Sequence, residues 1–268
     1  MKTFRFFEMA LIAVLVCANF ASCNKDDDRA NENSEKKLVK IVDNYQSCSF
    51  IYGNNGKLIK AIQETTSGTC LTYEYTWRNG TIRQDRSGGG GYTPISTIYH
   101  LENGFIKYSR CEEDPCEYYS YRQNRLNKLE YRDGSCWHIV KTTDWFENKL
   151  LYLVSYSKYY DNENNSNIEF TYNYNESCKK GYFPFIPEIL GFDTYPPSGF
   201  THSGGVLLMA HPEIAGIRTN ELLAGYMYND YKDCTYEYEF DEEGYISKIK
   251  KVNYAGSSST TTYTLIWE

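Results

Sequence analysis

Trp77-Arg78-Asn79-Gly80-Thr81-Ile82-Arg83 decides the fold. An aromatic residue precedes an Asn-Gly pair, and an aliphatic residue follows two positions after the glycine. Asn-Gly is the strongest short-range hairpin signal, because a type I′ turn needs positive φ at both central residues. The unit recurs as Tyr52-Gly53-Asn54-Asn55-Gly56-Lys57-Leu58 upstream and Leu101-Glu102-Asn103-Gly104-Phe105-Ile106 downstream, so Asn-Gly pairs stand 24 residues apart. Degenerate copies follow at Tyr121–Leu126, Trp145–Leu150 and Phe240–Ile246. A unit of that length holds two strands of roughly 8 to 10 residues and two turns, which predicts an up-and-down antiparallel meander.

The intervening segments alternate as a half-buried sheet should. Thr72-Tyr73-Glu74-Tyr75-Thr76-Trp77 puts Tyr73, Tyr75 and Trp77 on one face, and Thr235-Tyr236-Glu237-Tyr238-Glu239-Phe240 repeats the design. Tyrosine suits such a face, since its ring packs while its hydroxyl finds a polar partner. Most of the 27 tyrosines are therefore expected to be structural. Residues 181–230 break the pattern: they hold five of the seven prolines and the apolar run Val206–Ala210. Loops and one or two short helices are expected there, plugging a barrel mouth or covering an open sheet edge.

The first 22 residues read as a targeting segment. Lys2 and Arg5 precede an apolar run from Met9 to Phe20, too short and wrongly flanked for a spanning helix. Ala21-Ser22-Cys23 then looks like a bacterial lipobox, with Cys23 as the acyl acceptor. Two or more acyl chains give stable attachment where one is marginal. Lys25-Asp26-Asp27-Asp28 resembles the export signal of surface lipoproteins in Bacteroidota. The expected organisation is a signal peptide over 1–22, a lipidated acidic tether over 23–37, and one β domain over 38–268. Cleavage removes Lys2, Arg5 and Glu8, which takes the formal charge from −7 to −8. With 28 basic against 35 acidic residues, nucleic acid is not an expected partner.

The lipobox, the acidic tether, the Asn-Gly hairpins and above all Thr235–Ile249 resemble a Bacteroidota lipoprotein family of unknown function with a porin-like β fold. The hairpins are also similar to the YD repeats of large secreted proteins. The resemblance implies an all-β chain forming a small or partly open porin-like barrel at the outer membrane. It carries over no catalytic residue. Many strands alternate Tyr with Glu, Thr or Lys, whereas a membrane barrel needs a lipid-facing apolar band on every strand. A barrel hanging from its lipid anchor is expected rather than one that spans.

Seven cysteines remain beyond Cys17 and Cys23, an odd number in a compartment that permits disulfides. Cys111 and Cys116 could close a tight loop. Cys48 and Cys70 should stand about 10 Å apart with a strand between them, too far to bond. No CxxC pair supports zinc, and His100, His138, His202 and His211 show no metal-ligand spacing. His202-Ser203 lies in a Gly-rich stretch that is not a nucleophile elbow, and Gly88–Gly91 lacks the Gly-Lys-Ser/Thr of a phosphate loop. Neither a cofactor nor an enzymatic activity is expected. The first functional expectation is a non-catalytic binding module, with Tyr73, Tyr75 and Trp77 as rings for stacking on a glycan. The second is a structural lipoprotein that binds an envelope protein.

Overall fold

The computed structural model describes residues 35–88, 94–111, 114–133, 137–159, 162–186, 205–254 and 258–268. The hairpin reading holds along this chain. Strands β1 (Leu38–Val42), β2 (Gln46–Tyr52), β3 (Leu58–Thr65) and β4 (Cys70–Arg78) come first. They continue as β5 (Thr81–Gly88), β6 (Ile95–Glu102), β7 (Phe105–Cys111) and β8 (Asp114–Arg122). Next are β9 (Arg125–Asp133), β10 (Trp137–Phe146), β11 (Lys149–Tyr159) and β12 (Asn162–Ser177). The last four are β13 (Glu221–Tyr228), β14 (Tyr231–Phe240), β15 (Ile246–Asn253) and β16 (Ser259–Trp267). Each pairs antiparallel with its neighbours in sequence, and β16 returns to β1. The sheet is a closed barrel of sixteen strands, so the sequence's alternative of a partly open sheet is resolved in favour of closure. Lys37 and Glu268 seal the seam with reciprocal backbone bonds of 2.7 and 2.9 Å.

The repeat motif builds one end of this barrel. The aliphatic residues two positions after each turn, Leu58, Ile82, Ile106, Leu126, Leu150 and Ile246, are all fully buried. The aromatic on the even strand of each pair reaches back across the sheet to the preceding strand's backbone. Trp77 Nε1 donates to the Leu58 carbonyl at 2.7 Å, Trp145 Nε1 to Leu126 at 2.8 Å, and Trp267 Nε1 to Ile246 at 2.8 Å. The hydroxyls of Tyr52, Tyr121, Tyr172 and Tyr238 do the same to Leu38, Ile106, Leu150 and Leu223, at 2.5 to 2.9 Å. Seven of the eight strand pairs carry this latch; in β5–β6 the position is Leu101, which has no donor. A ring that packs in the wall and a polar atom that satisfies a buried carbonyl explain why Tyr and Trp alternate at one position.

The turns vary beneath this common plan. Asn103 and Gly104 (φ 52° and 84°) form the expected pair of positive φ angles, and Gln123-Asn124 (52° and 60°) does so without glycine. At Asn79-Gly80 only the glycine is positive, and Gly56 closes a longer loop in which its N–H bonds the Gly53 carbonyl.

The sixth of these turns is replaced by the insertion between β12 and β13. Its described residues, 178–186 and 205–220, fold into the barrel mouth as a plug. Tyr182, Phe183, Phe185 and Ile186 are buried, as is every residue of the helix α1 (Gly205–Ala210). A 3₁₀ turn follows at Pro212–Ala215. Phe183 packs edge-on to Tyr236 at 5.5 Å and Phe185 lies 4.6 Å from Tyr263. The plug also bonds to the rim at Leu58, Leu126 and Asn148. The irregular stretch ends earlier than its sequence implies: residues 221–228 form β13, not a helix. Ile214, Ile217, Leu222 and Leu223 have a loose helical spacing, but ladder pairing with β12 and β14 makes Leu222 and Leu223 part of a strand.

Inside and outside differ sharply. Inward positions are apolar or tyrosine, with a belt of polar groups higher in the barrel. There Glu117 accepts from Ser109 Oγ at 2.6 Å and from Tyr119 OH at 2.9 Å. Burial pushes the nearby Lys141 ammonium down to about 8, against the attraction of Glu117. Outward positions carry cross-strand ion pairs such as Lys250–Glu237 (2.8 Å), Lys248–Glu239 (2.7 Å) and Lys60–Glu74 (3.7 Å).

Candidate ligand groove at the plugged end

Tyr73, Tyr75 and Trp77 do not form an exposed row. Tyr73 and Tyr75 are 5% exposed and face into the barrel, where Tyr73 OH donates to Gln63 at 2.7 Å. Trp77 is half-buried, latched to Leu58, with His211 edge-on at 5.2 Å and Lys57 Nζ 5.2 Å above its ring. Alternation put these three on one face correctly, but that face is the core. Cys23, Lys25, Asp26, Asp27 and Asp28 lie outside the described residues, as do Gly89–Gly91, Glu112, Glu113 and His202-Ser203.

Other motifs resolve as structure. Cys111 carries no disulfide and its Sγ lies 3.4 Å from Thr97 Oγ1, so it does not close a loop with Cys116. Cys48, Cys70, Cys178 and Cys234 carry no disulfide either. Burial raises the Cys48 and Cys178 thiols, the latter to about 12, which makes both poor nucleophiles. In Asp241-Glu242-Glu243 the first carboxylate accepts the backbone N–H of Glu243 and of Tyr245, fixing the turn.

His211 has both nitrogens committed. Nε2 accepts the backbone N–H of Leu58 at 3.0 Å, so the proton sits on Nδ1 and is donated to Glu213 Oε1 at 2.8 Å. Burial works against the Glu213 charge, yet the His211 bond, and beyond it Arg218, hold its carboxyl below the usual range. This pair pins the plug to β3.

Between the plug and the neighbouring turns lies a groove. One cavity of about 520 Å³ is bounded by the chain entry at Glu35, the 178–181 stretch and the plug's exit at Gly216–Asn220. A second of about 540 Å³ runs between the β8–β9 and β10–β11 turns. They share Asn124, Arg125 and Asn148, so the two adjoin at these residues. Volumes of this order suit a small-molecule ligand.

Arg125 stands at the join. Its guanidinium lies over Trp145 at 5.1 Å, donates to the Arg218 carbonyl at 2.5 Å, and also reaches Asn148 Oδ1. Desolvation disfavours its charge. Arg218 is bound to Glu35 at 2.6 Å and lies over the Tyr182 ring. The left-handed Gly216 (φ 63°) lets the plug touch the β8–β9 turn, for a Cβ there would sit 2.6 Å from the Asn124 carbonyl. Sequence reasoning missed this groove because its residues come from four separate turns. Lys179-Lys180 beside Cys178 was its only local signal.

No protein-family model matches the sequence, and no curated protein matches it either. Solved structures do share its shape. A porin-like protein from Bacteroides uniformis is 18% identical, with a TM-score of 0.56, over 88% of this chain and 98% of the other. A porin-like protein from Bacteroides vulgatus is 12% identical, with a TM-score of 0.61, over 87% and 99%. The chain therefore has the porin-like β-barrel fold seen in these Bacteroides proteins.

Proposed function

We propose that this chain is an outer-membrane lipoprotein, held by acyl chains on Cys23 and directed to the cell surface by Lys25, Asp26, Asp27 and Asp28. Its barrel hangs outside the lipid and binds a saccharide non-catalytically in the groove at the plugged end. The polarity of the wall carries this reading. Its outer face bears Lys–Glu pairs and its mouth is stoppered. A lysine or arginine facing lipid at the bilayer midplane costs about 2–4 kcal/mol, so the wall suits water. The groove's Glu213 and Arg218 are bound to structural partners, which supports binding rather than turnover. Asn124, Asn148 and Asn220 offer amides suited to sugar hydroxyls.

Two measurements test the two halves. Cells fed a clickable fatty acid should label the chain, and Cys23→Ala should abolish the label; an unlabelled chain overturns the anchor. Affinity electrophoresis against a polysaccharide panel should show retardation that Trp145→Ala weakens. Retardation by no polymer overturns the saccharide reading.

A second reading, an accessory protein of an envelope assembly, draws support from the outer wall. His100 and Tyr108 stack there at 4.3 Å, Tyr108 pairs across the strands with the exposed Tyr118, and Tyr152 and Val154 are exposed on β11. Crosslinking in whole cells, with a probe at Tyr118, should then capture one envelope protein.

A further inference from the structure

The charge balance of the first cavity is uneven. Its two carboxylates are already committed, Glu35 to Arg218 at 2.6 Å and Glu213 to His211 at 2.8 Å. Three cations are not matched in this way. Arg125, Lys179 and Lys180 have no carboxylate partner among the described residues. Lys180 Nζ rests 5.6 Å from the Tyr245 ring, and Lys179 and Lys180 are both exposed. Arg125 is the most telling, since burial weakens its hold on its own proton while only neutral acceptors, the Arg218 carbonyl and Asn148, face it. In a chain of formal charge −7, the lining of this cavity carries four cations, Arg125, Lys179, Lys180 and Arg218, against two carboxylates. An anion placed there would gain charge-assisted hydrogen bonds and relieve mutual repulsion.

The surroundings narrow the class. A bare inorganic anion would fill a small part of about 520 Å³. The remaining wall offers the Asn124, Asn148 and Asn220 amides, with Phe105 and the Trp145 ring alongside. Amides and aromatic faces beside a cationic corner fit a sugar ring that bears one acidic substituent.

We propose that the groove binds an acidic saccharide, its carboxylate, sulfate or phosphate ester held by Arg125, Lys179 and Lys180 and its hydroxyls by the three asparagines. This rests on the saccharide-binding reading above and adds the charge requirement. The acidic sugar could belong to a polymer from outside or to the cell's own surface glycan, because the recognising chemistry is the same.

The test is isothermal titration of the full chain, purified in detergent, with polygalacturonate, chondroitin sulfate, the cell's own extracted surface glycan, and neutral galactan and dextran. Binding to an acidic glycan that weakens at least about tenfold in Lys179→Gln, Lys180→Gln and Arg125→Gln is expected. Lys179→Gln and Lys180→Gln change exposed side chains, so they remain informative if Arg125→Gln fails to fold. Which acidic glycan binds identifies the source. Equal binding of neutral and acidic polymers overturns the charge requirement and leaves the saccharide reading standing. Binding to no saccharide overturns both. An equal loss in Lys248→Gln and Lys250→Gln on the outer wall would mean diffuse charge attraction and overturn the groove as the site. Binding only to phosphatidylglycerol vesicles would overturn the saccharide in favour of a lipid surface.

Discussion

Along β14 the two faces of the barrel wall can be compared residue by residue. Tyr236 and Tyr238 point inward, Tyr236 buried and Tyr238 latched to the Leu223 carbonyl, while Glu237 and Glu239 point outward to Lys250 and Lys248. Both faces look well bonded. Their energetics differ, because the inward bond satisfies a carbonyl that water cannot reach and the outward one replaces contacts that water would supply. Stability should therefore follow the inner face almost alone.

The largest expected effect is at high pH. Burial is the main cause of raised phenols at Tyr52, Tyr75, Tyr119, Tyr121, Tyr172, Tyr182, Tyr226 and Tyr238. The folded state keeps protons that the unfolded chain sheds, so their contribution is full below the unfolded pKa and is lost as pH rises above it. Stability should fall above pH 10 by about 1.4 kcal/mol per pH unit for each such phenol. Lys141 acts oppositely: with its folded pKa at about 8, it favours folding as pH rises toward 10.5, but by one proton only. Beyond the share carried by exposed rings such as Tyr45 and Tyr231, phenolate absorbance and loss of the far-ultraviolet circular dichroism should appear in one joint step. Phenolate absorbance from all the tyrosines while the sheet signal stays intact would contradict the packing.

Next in size, Leu126→Ala removes a fully buried side chain from the plugged end and should cost about 2–5 kcal/mol in urea unfolding. Tyr238→Phe keeps the ring but leaves the Leu223 carbonyl without its latch. A loss of about 1–3 kcal/mol is expected, and a change below 0.3 kcal/mol would show that latches of this kind do not carry weight. Smallest of all, Lys250→Ala on the outer wall should shift stability by no more than about 0.5 kcal/mol. If it rivals Tyr238→Phe, the contrast between the faces fails.

The same contrast explains what was legible beforehand. Alternation and turn chemistry are local, so the strand pairs, the latch aromatics and the buried aliphatic two residues beyond each turn could be read directly. Closure was not legible, because β1 and β16 meet through a pairing whose register no local pattern announces. Nor could alternation say which face of Tyr73, Tyr75 and Trp77 met water, since a tyrosine-rich face suits either side until closure makes one of them the inside. The groove was hidden for a related reason: Asn124, Asn148 and Lys179 share no spacing, and only the plug's course brings their turns together.

The seam between β1 and β16 bears on the protein's biogenesis. β1 is synthesised near the beginning of the barrel and its partner last, so the earliest strand keeps an open row of hydrogen-bonding groups until the final one emerges. Such an edge is an invitation to pair with the wrong chain. The barrel can therefore close only once β16 has been made, and the nascent chain needs a holding chaperone, or delivery in an unfolded state, to reach its destination without aggregating.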